Sequence, residues 1–304
     1  EEASRGFSGV AEKPPDSPLA NPAMHAMTTV CFNQGDFPRT ISWAERVIKG
    51  SADSTLIQRA RLMRGLAYRR SNNNVKAIED LTAYVKDPAV ASESITAGHM
   101  LALAYISQKQ YPQAQKALED LLSAKPDFEE ADKVYYELAH ALLAEPTQAT
   151  EAAATFQLLA EKRPGSDLAP ESWFRVAQYQ EAVAGNSSQK EDVNRALMTA
   201  ESALKNGLVK AKEKDLREKL QYKLGDVQFQ QGRYAEAAKS LAVQLAEFPT
   251  GIYAAPAKFI SAECYFRQNM YEQALPLYVQ MVDAPFPEGD QDKAGQYRAE
   301  ALYR

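Results

Sequence analysis

The stretches Leu224–Pro249, LGDVQFQQGRYAEAAKSLAVQLAEFP, and Ala262–Val282, AECYFRQNMYEQALPLYVQMV, state one theme twice. Gly225 answers to Ala262, Gly232 to Asn269, Tyr234 to Tyr271, Ala237 to Ala274 and Leu241 to Tyr278, each pair 37 residues apart. One offset that aligns two small residues, a turn residue, an aromatic and a bulky apolar residue marks a structural repeat. In each copy two stretches of helical periodicity flank a short turn, at Gly232-Arg233 or Asn269-Met270, so the unit is a helical hairpin. Antiparallel helices approach closely only where a Gly or Ala lies at the crossing, and the aromatic beside the turn fills the space the crossing leaves.

Outward from this pair the phase persists. Residues Glu1 to Asn21 are polar and hold Pro14, Pro15 and Pro18 without helical period, which predicts a disordered tail or linker. A first hairpin runs from Pro22 to Lys49 with QGDF at its turn, and Thr40 and Ala44 stand where Ala237 and Leu241 stand later. The second copy has Gly65 and Tyr68, a turn at Asn72 to Asn74, then Ala77 and Leu81. The third has Ala102, Tyr105, Tyr111, Ala114, Leu118 and Pro126, and Ala77 to Ala114 is again 37 residues. The fourth has Leu138, Ala139, Ala152, Phe156 and Pro164, with the longer turn AEPTQAT. The fifth has Trp173, Ala177, Ala196 and Ala200, and its turn expands into AVAGNSSQKEDVN, a polar insertion over 183–193 whose loop-closure cost grows slowly with length. That insertion is a contact loop or a tolerated surface excursion. Asn186-Ser187-Ser188 within it fits a glycosylation acceptor.

After the charged helix KAKEKDLREKLQYKLG come the Leu224 and Ala262 copies, making seven hairpins, and an incomplete eighth follows the break PFPEG. The chain starts at Glu1 without Met and ends in AEALYR, which has the pattern of a further first helix, so a longer native protein is expected.

The repeat resembles the tetratricopeptide repeat. Leu224 and Gly225, Ala237 with Leu241, and Pro249 match its pattern, as do Ala262, Tyr265, and Ala274 with Tyr278. Gln228 replaces the usual first-helix Tyr, and the period exceeds the family's by about three residues. The resemblance implies an all-α fold, a right-handed α-solenoid of about seven such hairpins over residues 22–304, acting in protein-protein interaction. The linker FPTGIYAAPAKF, echoed by RPGSDLAPESWF, is similar to that of the bacterial envelope branch of the family, which includes outer-membrane assembly lipoproteins. Periplasmic or envelope association is therefore expected.

Abundant Ala and scarce Gly favour helix over sheet. A net charge of -5 argues against nucleic acid as partner, because such domains carry a basic face. Without an apolar run of about 18 residues, no segment spans a membrane as a helix. Cys31 and Cys264 lie near opposite ends of the array, where an extended stack keeps their Cα atoms beyond the roughly 7 Å that a disulfide tolerates, so both are expected as free, packed thiols. Ligand spacings for zinc, phosphate-binding Gly-rich loops and nucleophile elbows are absent from the sequence, and neither a metal nor a cofactor is expected. His25, His99 and His140 lie on first helices of different hairpins, so they do not form a compact acid-base site, and the chain is not expected to be an enzyme.

By the resemblance, the residues three before, one after and four after the small residue of each first helix face a concave groove. These are His99, Leu103 and Ile106; Tyr136, His140 and Leu143; Tyr222, Asp226 and Phe229; and Phe259, Glu263 and Phe266. Each trio lies on one helical face. The competing reading packs these aromatics between neighbouring first helices. The family's charged clamp for acidic peptide C-termini uses Lys, Asn and Arg at such places, most of which are apolar here. One helix, QRARLMRGLAYRR, carries Arg59, Arg61, Arg64, Arg69 and Arg70, either as a patch for an acidic partner or as a solvated face balanced by nearby acids.

The expected function is a scaffold that binds a peptide or partner protein, as part of a larger bacterial envelope protein or complex. Two other classes stay open from sequence: an accessory domain of a multidomain enzyme or secretion system, and a small-molecule-binding solenoid.

Overall fold

The computed structural model of the protein describes residues 20–87, 94–282, 295 and 299–303. Fourteen α-helices account for most of them: α1 (Ala20–Asn33), α2 (Phe37–Gly50), α3 (Ser54–Arg70), α4 (Asn74–Val85), α5 (Ser94–Ser107), α6 (Tyr111–Ala124), α7 (Ala131–Leu143), α8 (Ala149–Lys162), α9 (Ala169–Asn186), α10 (Lys190–Lys210), α11 (Lys214–Gln230), α12 (Tyr234–Glu247), α13 (Ala254–Arg267) and α14 (Tyr271–Val282). The described residues contain no strand. Two compact units divide the chain, Glu1–Pro146 and Thr147–Arg304. The first holds α1 to α7, the second α8 to α14, and within each the helices stack in hairpins as an α-solenoid does. Of the expected tail, residues 1–19 lie outside the described residues, and Ala20 and Asn21 already belong to α1. PFPEG and the stretch 88–93 also lie outside them.

The 37-residue period has a backbone cause. Gly35, Asn72 and Lys109 in the first unit, and Gly232 and Asn269 in the second, have φ of 75°, 60°, 57°, 75° and 62°, the left-handed region that closes a helix. At each of these turns the next residue's N–H reaches back to a carbonyl on the first helix: Asp36 to Cys31 at 2.9 Å, Asn73 to Tyr68 at 2.8 Å, Gln110 to Tyr105 at 2.9 Å, Arg233 to Gln228 at 3.0 Å and Met270 to Tyr265 at 2.9 Å. Such a turn satisfies carbonyls the helix leaves bare and reverses the chain within three residues. Asp36 and Asn73 then cap the second helices through the N–H groups of Arg39 and Lys76.

Small residues sit at the crossings. A Cβ added to Gly65 would lie 2.9 Å from Cγ of Leu81, and one added to Gly225 would lie 2.6 Å from Cδ2 of Leu241. Both leucines are fully buried, and Ala102 with Leu118 and Ala262 with Tyr278 are buried at the corresponding places. First helices of successive hairpins touch, α1 with α3 and α3 with α5 in one unit, α9 with α11 and α11 with α13 in the other. Among the described residues second helices make no comparable contact with one another.

The fifth hairpin differs from the expectation of an expanded loop. α9 and α10 run on for 18 and 21 residues, and only Ser187–Gln189 connects them. AVAG and EDVN are absorbed as extra helical turns, because Ala, Glu and Asp near helix ends and starts favour helix over coil. The charged segment before Leu224 also divides: Ala211 to Glu213 form the connection, and helix resumes at Lys214.

The linker after α12 is fixed from below. Glu218 on α11 is buried, and its carboxylate accepts the N–H of Tyr253 at 2.9 Å and the Gln244 side-chain amide at 3.3 Å. Any side chain at Gly251 would collide with it, since a Cβ there would lie 2.6 Å from Glu218 Oε2. The FPTG run thus owes its glycine to a carboxylate that holds the start of α13.

Candidate interaction surface

In the second unit, α11, α13 and the helical residues Ala299–Tyr303 enclose a cleft of about 580 Å³, lined by Phe229, Phe259, Glu263, Arg267, Ala299, Glu300 and Tyr303. The last segment, AEALY, repeats AECYF of Ala262–Phe266 at the same 37-residue offset. Ala301 buries itself in the same core cluster as Ala262 and Cys264, while Tyr303 stays 88% exposed. Phe229 is half-buried and packs on Tyr234 with ring centroids 5.5 Å apart. Phe259 is buried and meets Tyr278 edge-on at 6.0 Å. Glu263 accepts a hydrogen bond from the Tyr278 hydroxyl and stands 3.6 Å from Arg267. The result is an aromatic floor with one cation and two carboxylates around it.

The other residues expected in the groove are placed differently. Tyr222 is buried and stacked on Tyr253, ring centroids 4.8 Å apart, inside the core. Phe266 is half-buried against Tyr271 and lines a separate cleft with Leu275 and Ala301. Asp226 belongs to an ion cluster in which Lys223 bridges it at 3.2 Å and Glu181 of α9 at 2.9 Å. Burial pushes the Glu181 carboxyl up against the pull of Lys223, and burial alone would lower Lys223, which Asp226 and Glu181 raise instead.

In the first unit His99 is buried, and its Nε2 lies 2.6 Å from Glu137 of α7. Tyr136 and His140 pack ring to ring at 4.5 Å, Leu103 and Ile106 are half-buried, and Leu143 is 43% exposed. Of these, His99 bridges α5 to α7 through Glu137, whereas Tyr136 and His140 pair within α7. His25, on α1, has its pKa lowered by burial and by the charge of Arg59. On α3, Arg64 turns inward and grips Asp80 of α4 with two 2.7 Å hydrogen bonds, which removes it from the expected patch. Arg59 and Arg70 are exposed, while Arg61 and Arg69 are half-buried.

Sequence reasoning missed Arg267, Ala299, Glu300 and Tyr303, although the AECYF/AEALY match was the signal that finds them. It also missed Glu137 and Tyr253, whose roles depend on a neighbouring hairpin. Both cysteines are free and buried, and burial, reinforced by Glu263, pushes the Cys264 thiol up to about 12. Among the described residues no cluster of His, Cys, Asp and Glu has the makings of a metal site, and no helix is long and apolar enough to cross a membrane.

The sequence profile of the tetratricopeptide repeat matches residues 99–167, 188–252 and 222–290, together more than half of the chain. Among curated proteins none matches the sequence. Among solved structures, the C-terminal part of a tetratricopeptide repeat-containing protein from Cytophaga hutchinsonii is similar, with 13% identity and a TM-score of 0.54 over 97% of this chain and 93% of that one. A tetratricopeptide repeat protein from Parabacteroides merdae gives 13% identity and a TM-score of 0.51 over 93% and 98%. A structure of Naa15/Naa10 bound to HypK-THB gives 13% and 0.56, covering 93% of this chain and 39% of that one. At such identities the likeness is one of fold. The profile matches, the left-handed turns in phase and the small residues at the crossings agree, and the chain belongs to the tetratricopeptide repeat family.

Proposed function

We propose that this protein is a non-catalytic scaffold whose second unit binds a peptide segment of a partner protein in the Phe229/Tyr303 cleft. The observation that carries this reading is the cleft itself, where aromatic side chains from three successive repeats converge on one concavity with Arg267 and two carboxylates at its margin. Aromatic anchors of this kind dominate the energy of peptide recognition, and the charges fix register. A bulky apolar side chain of the partner fits against Phe229 and Phe259, and a basic neighbour fits Glu300.

The test is capture of partners by the whole chain from its host, followed by affinity measurement on the captured protein. Phe229→Ala combined with Tyr303→Ala should weaken the partner by more than about 2 kcal/mol. Arg59→Ala with Arg70→Ala should leave it unchanged. If the second pair weakens binding and the first does not, the surface is α3 and the cleft reading fails. We also place the protein in a bacterial envelope, on the likeness of its FPTG linker to that branch of the family. Fractionation that recovers it in the cytosol alone would remove that part.

A further inference from the structure

The first unit contains a second concavity, in a different unit from the Phe229 cleft. It is a groove of about 420 Å³ between α4 and α6, with Leu101, Leu121, Val85 and Tyr105 on its walls and Gly98 of α5 at its floor. Four residues before the small crossing residue, the other six first helices carry Met24, Arg61, Tyr135, Trp173, Gln221 and Lys258. Among these seven helices only α5 has a glycine there; the Ala299–Tyr303 segment, one repeat further on, has Gly295 at the same place.

Nothing in the backbone requires it. Gly98 is not among the residues with positive φ, and an added Cβ would come no closer than 3.9 Å to any neighbour, Cδ1 of Leu121. A glycine inside a helix destabilises it relative to alanine. Here the glycine serves neither a tight turn nor a close crossing, and it leaves the groove open above the α5 backbone.

The rim supplies the second observation. Lys86 and Lys125 stand at the groove's end, exposed, and neither makes an ion pair among the described residues. Lys116 is tied to Asp120 at 3.7 Å, which leaves the rim with a net positive charge. An apolar slot with a basic end suits a segment that carries a bulky apolar side chain followed by carboxylates.

We propose that this groove is a docking site for an acidic peptide segment of a partner protein, whose large apolar side chain occupies the space above Gly98 while its carboxylates meet Lys86 and Lys125. The proposal does not depend on the Phe229 cleft.

The test selects phage-displayed random dodecapeptides on the whole chain, with the Gly98→Tyr protein as competitor. Peptides with Phe, Tyr, Trp or Leu beside Asp or Glu are expected. They should lose about tenfold or more in affinity for Gly98→Tyr, the effect of displacing one apolar anchor, and a comparable factor for Lys86→Glu with Lys125→Glu. They should bind the Phe229→Ala, Tyr303→Ala protein as they bind the parent. Should Gly98→Tyr fail to fold, Gly98→Met and the exposed lysine pair carry the same comparison. Selection of peptides indifferent to Gly98 and to the lysines, of basic peptides, or of none that distinguish parent from competitor would overturn the proposal.

Discussion

Gly225→Ala is the sharpest probe of the hairpin crossings. The new methyl would lie 2.6 Å from Cδ2 of Leu241, a distance at which something must shift, and Leu241 is fully buried with no solvent to move into. Overpacking of this kind costs about 1–3 kcal/mol. The same substitution raises helix propensity by about 1 kcal/mol, so the net loss is about 0–2 kcal/mol. Gly98→Ala provides the internal reference, because its methyl meets nothing nearer than 3.9 Å and should return the full helical gain of about 1 kcal/mol. The difference between the two variants therefore isolates the crossing at about 1–3 kcal/mol. Urea and thermal unfolding followed by far-ultraviolet circular dichroism measure it, each kcal/mol moving the Tm of a unit this size by roughly 2–4 °C. Leu241→Ala alone should cost about 2–5 kcal/mol, and combined with Gly225→Ala it should cost less than the sum, since the new methyl then occupies vacated space. If Gly225→Ala stabilises as much as Gly98→Ala does, the close approach at the crossing is wrong.

Three other outcomes follow. Lys109 holds φ of 57°, so Lys109→Gly should stabilise the first unit by about 0.5–1 kcal/mol, whereas the same change at exposed Lys116 within α6 should destabilise it. Arg64→Met should cost on the order of 3 kcal/mol by leaving Asp80 buried without its partner, and adding Asp80→Leu should recover most of it in equilibrium unfolding. Burial by itself would raise the Glu201 pKa, but hydrogen bonds from Lys205, Gln228 and Arg233 hold it at about 2. Its folded pKa lies below the unfolded value near 4.5, so its contribution is complete above that value and is lost as pH falls towards 2. Acid titration of unfolding should accordingly be shallower for Glu201→Gln over that window, and parallel curves would refute the assignment.

The repeat phase was legible because most copies write it in the same places: a glycine or alanine where backbones cross, a left-handed residue at five of the turns, and an aromatic beside it at four of those five. The side each aromatic faces was not. Tyr222 and Phe259 stand on the same helical face as Phe229 and Tyr303, two turns earlier, yet the first two are buried and the last is almost fully exposed. Tyr222 is covered by Tyr253, which its own hairpin does not contain, and Phe259 by Tyr278 on the second helix of its hairpin. The fifth turn misled for a related reason. Its Gly, Asn and Ser residues signal a loop, but only the short Ser187–Gln189 run breaks the helix once α9 and α10 have each other to pack against. Glu218 could not be singled out either, since a glutamate on a charged helix looks solvated until the next linker lies down on it.

The left-handed turns bear on how the chain reaches its fold. Each joins two helices across so few residues that the contacts it brings together are close in sequence, and the next layer adds only contacts one repeat away. Low contact order favours rapid formation, and in stacked repeats a nucleus can arise in any hairpin and spread to its neighbours. The hairpins that carry Gly35, Asn72, Lys109, Gly232 and Asn269 are the natural seeds, whereas α9 and α10 are joined without such a residue. Pulse-labelled hydrogen exchange should find the amides of Arg233 and Met270 protected ahead of those at Ser187–Gln189.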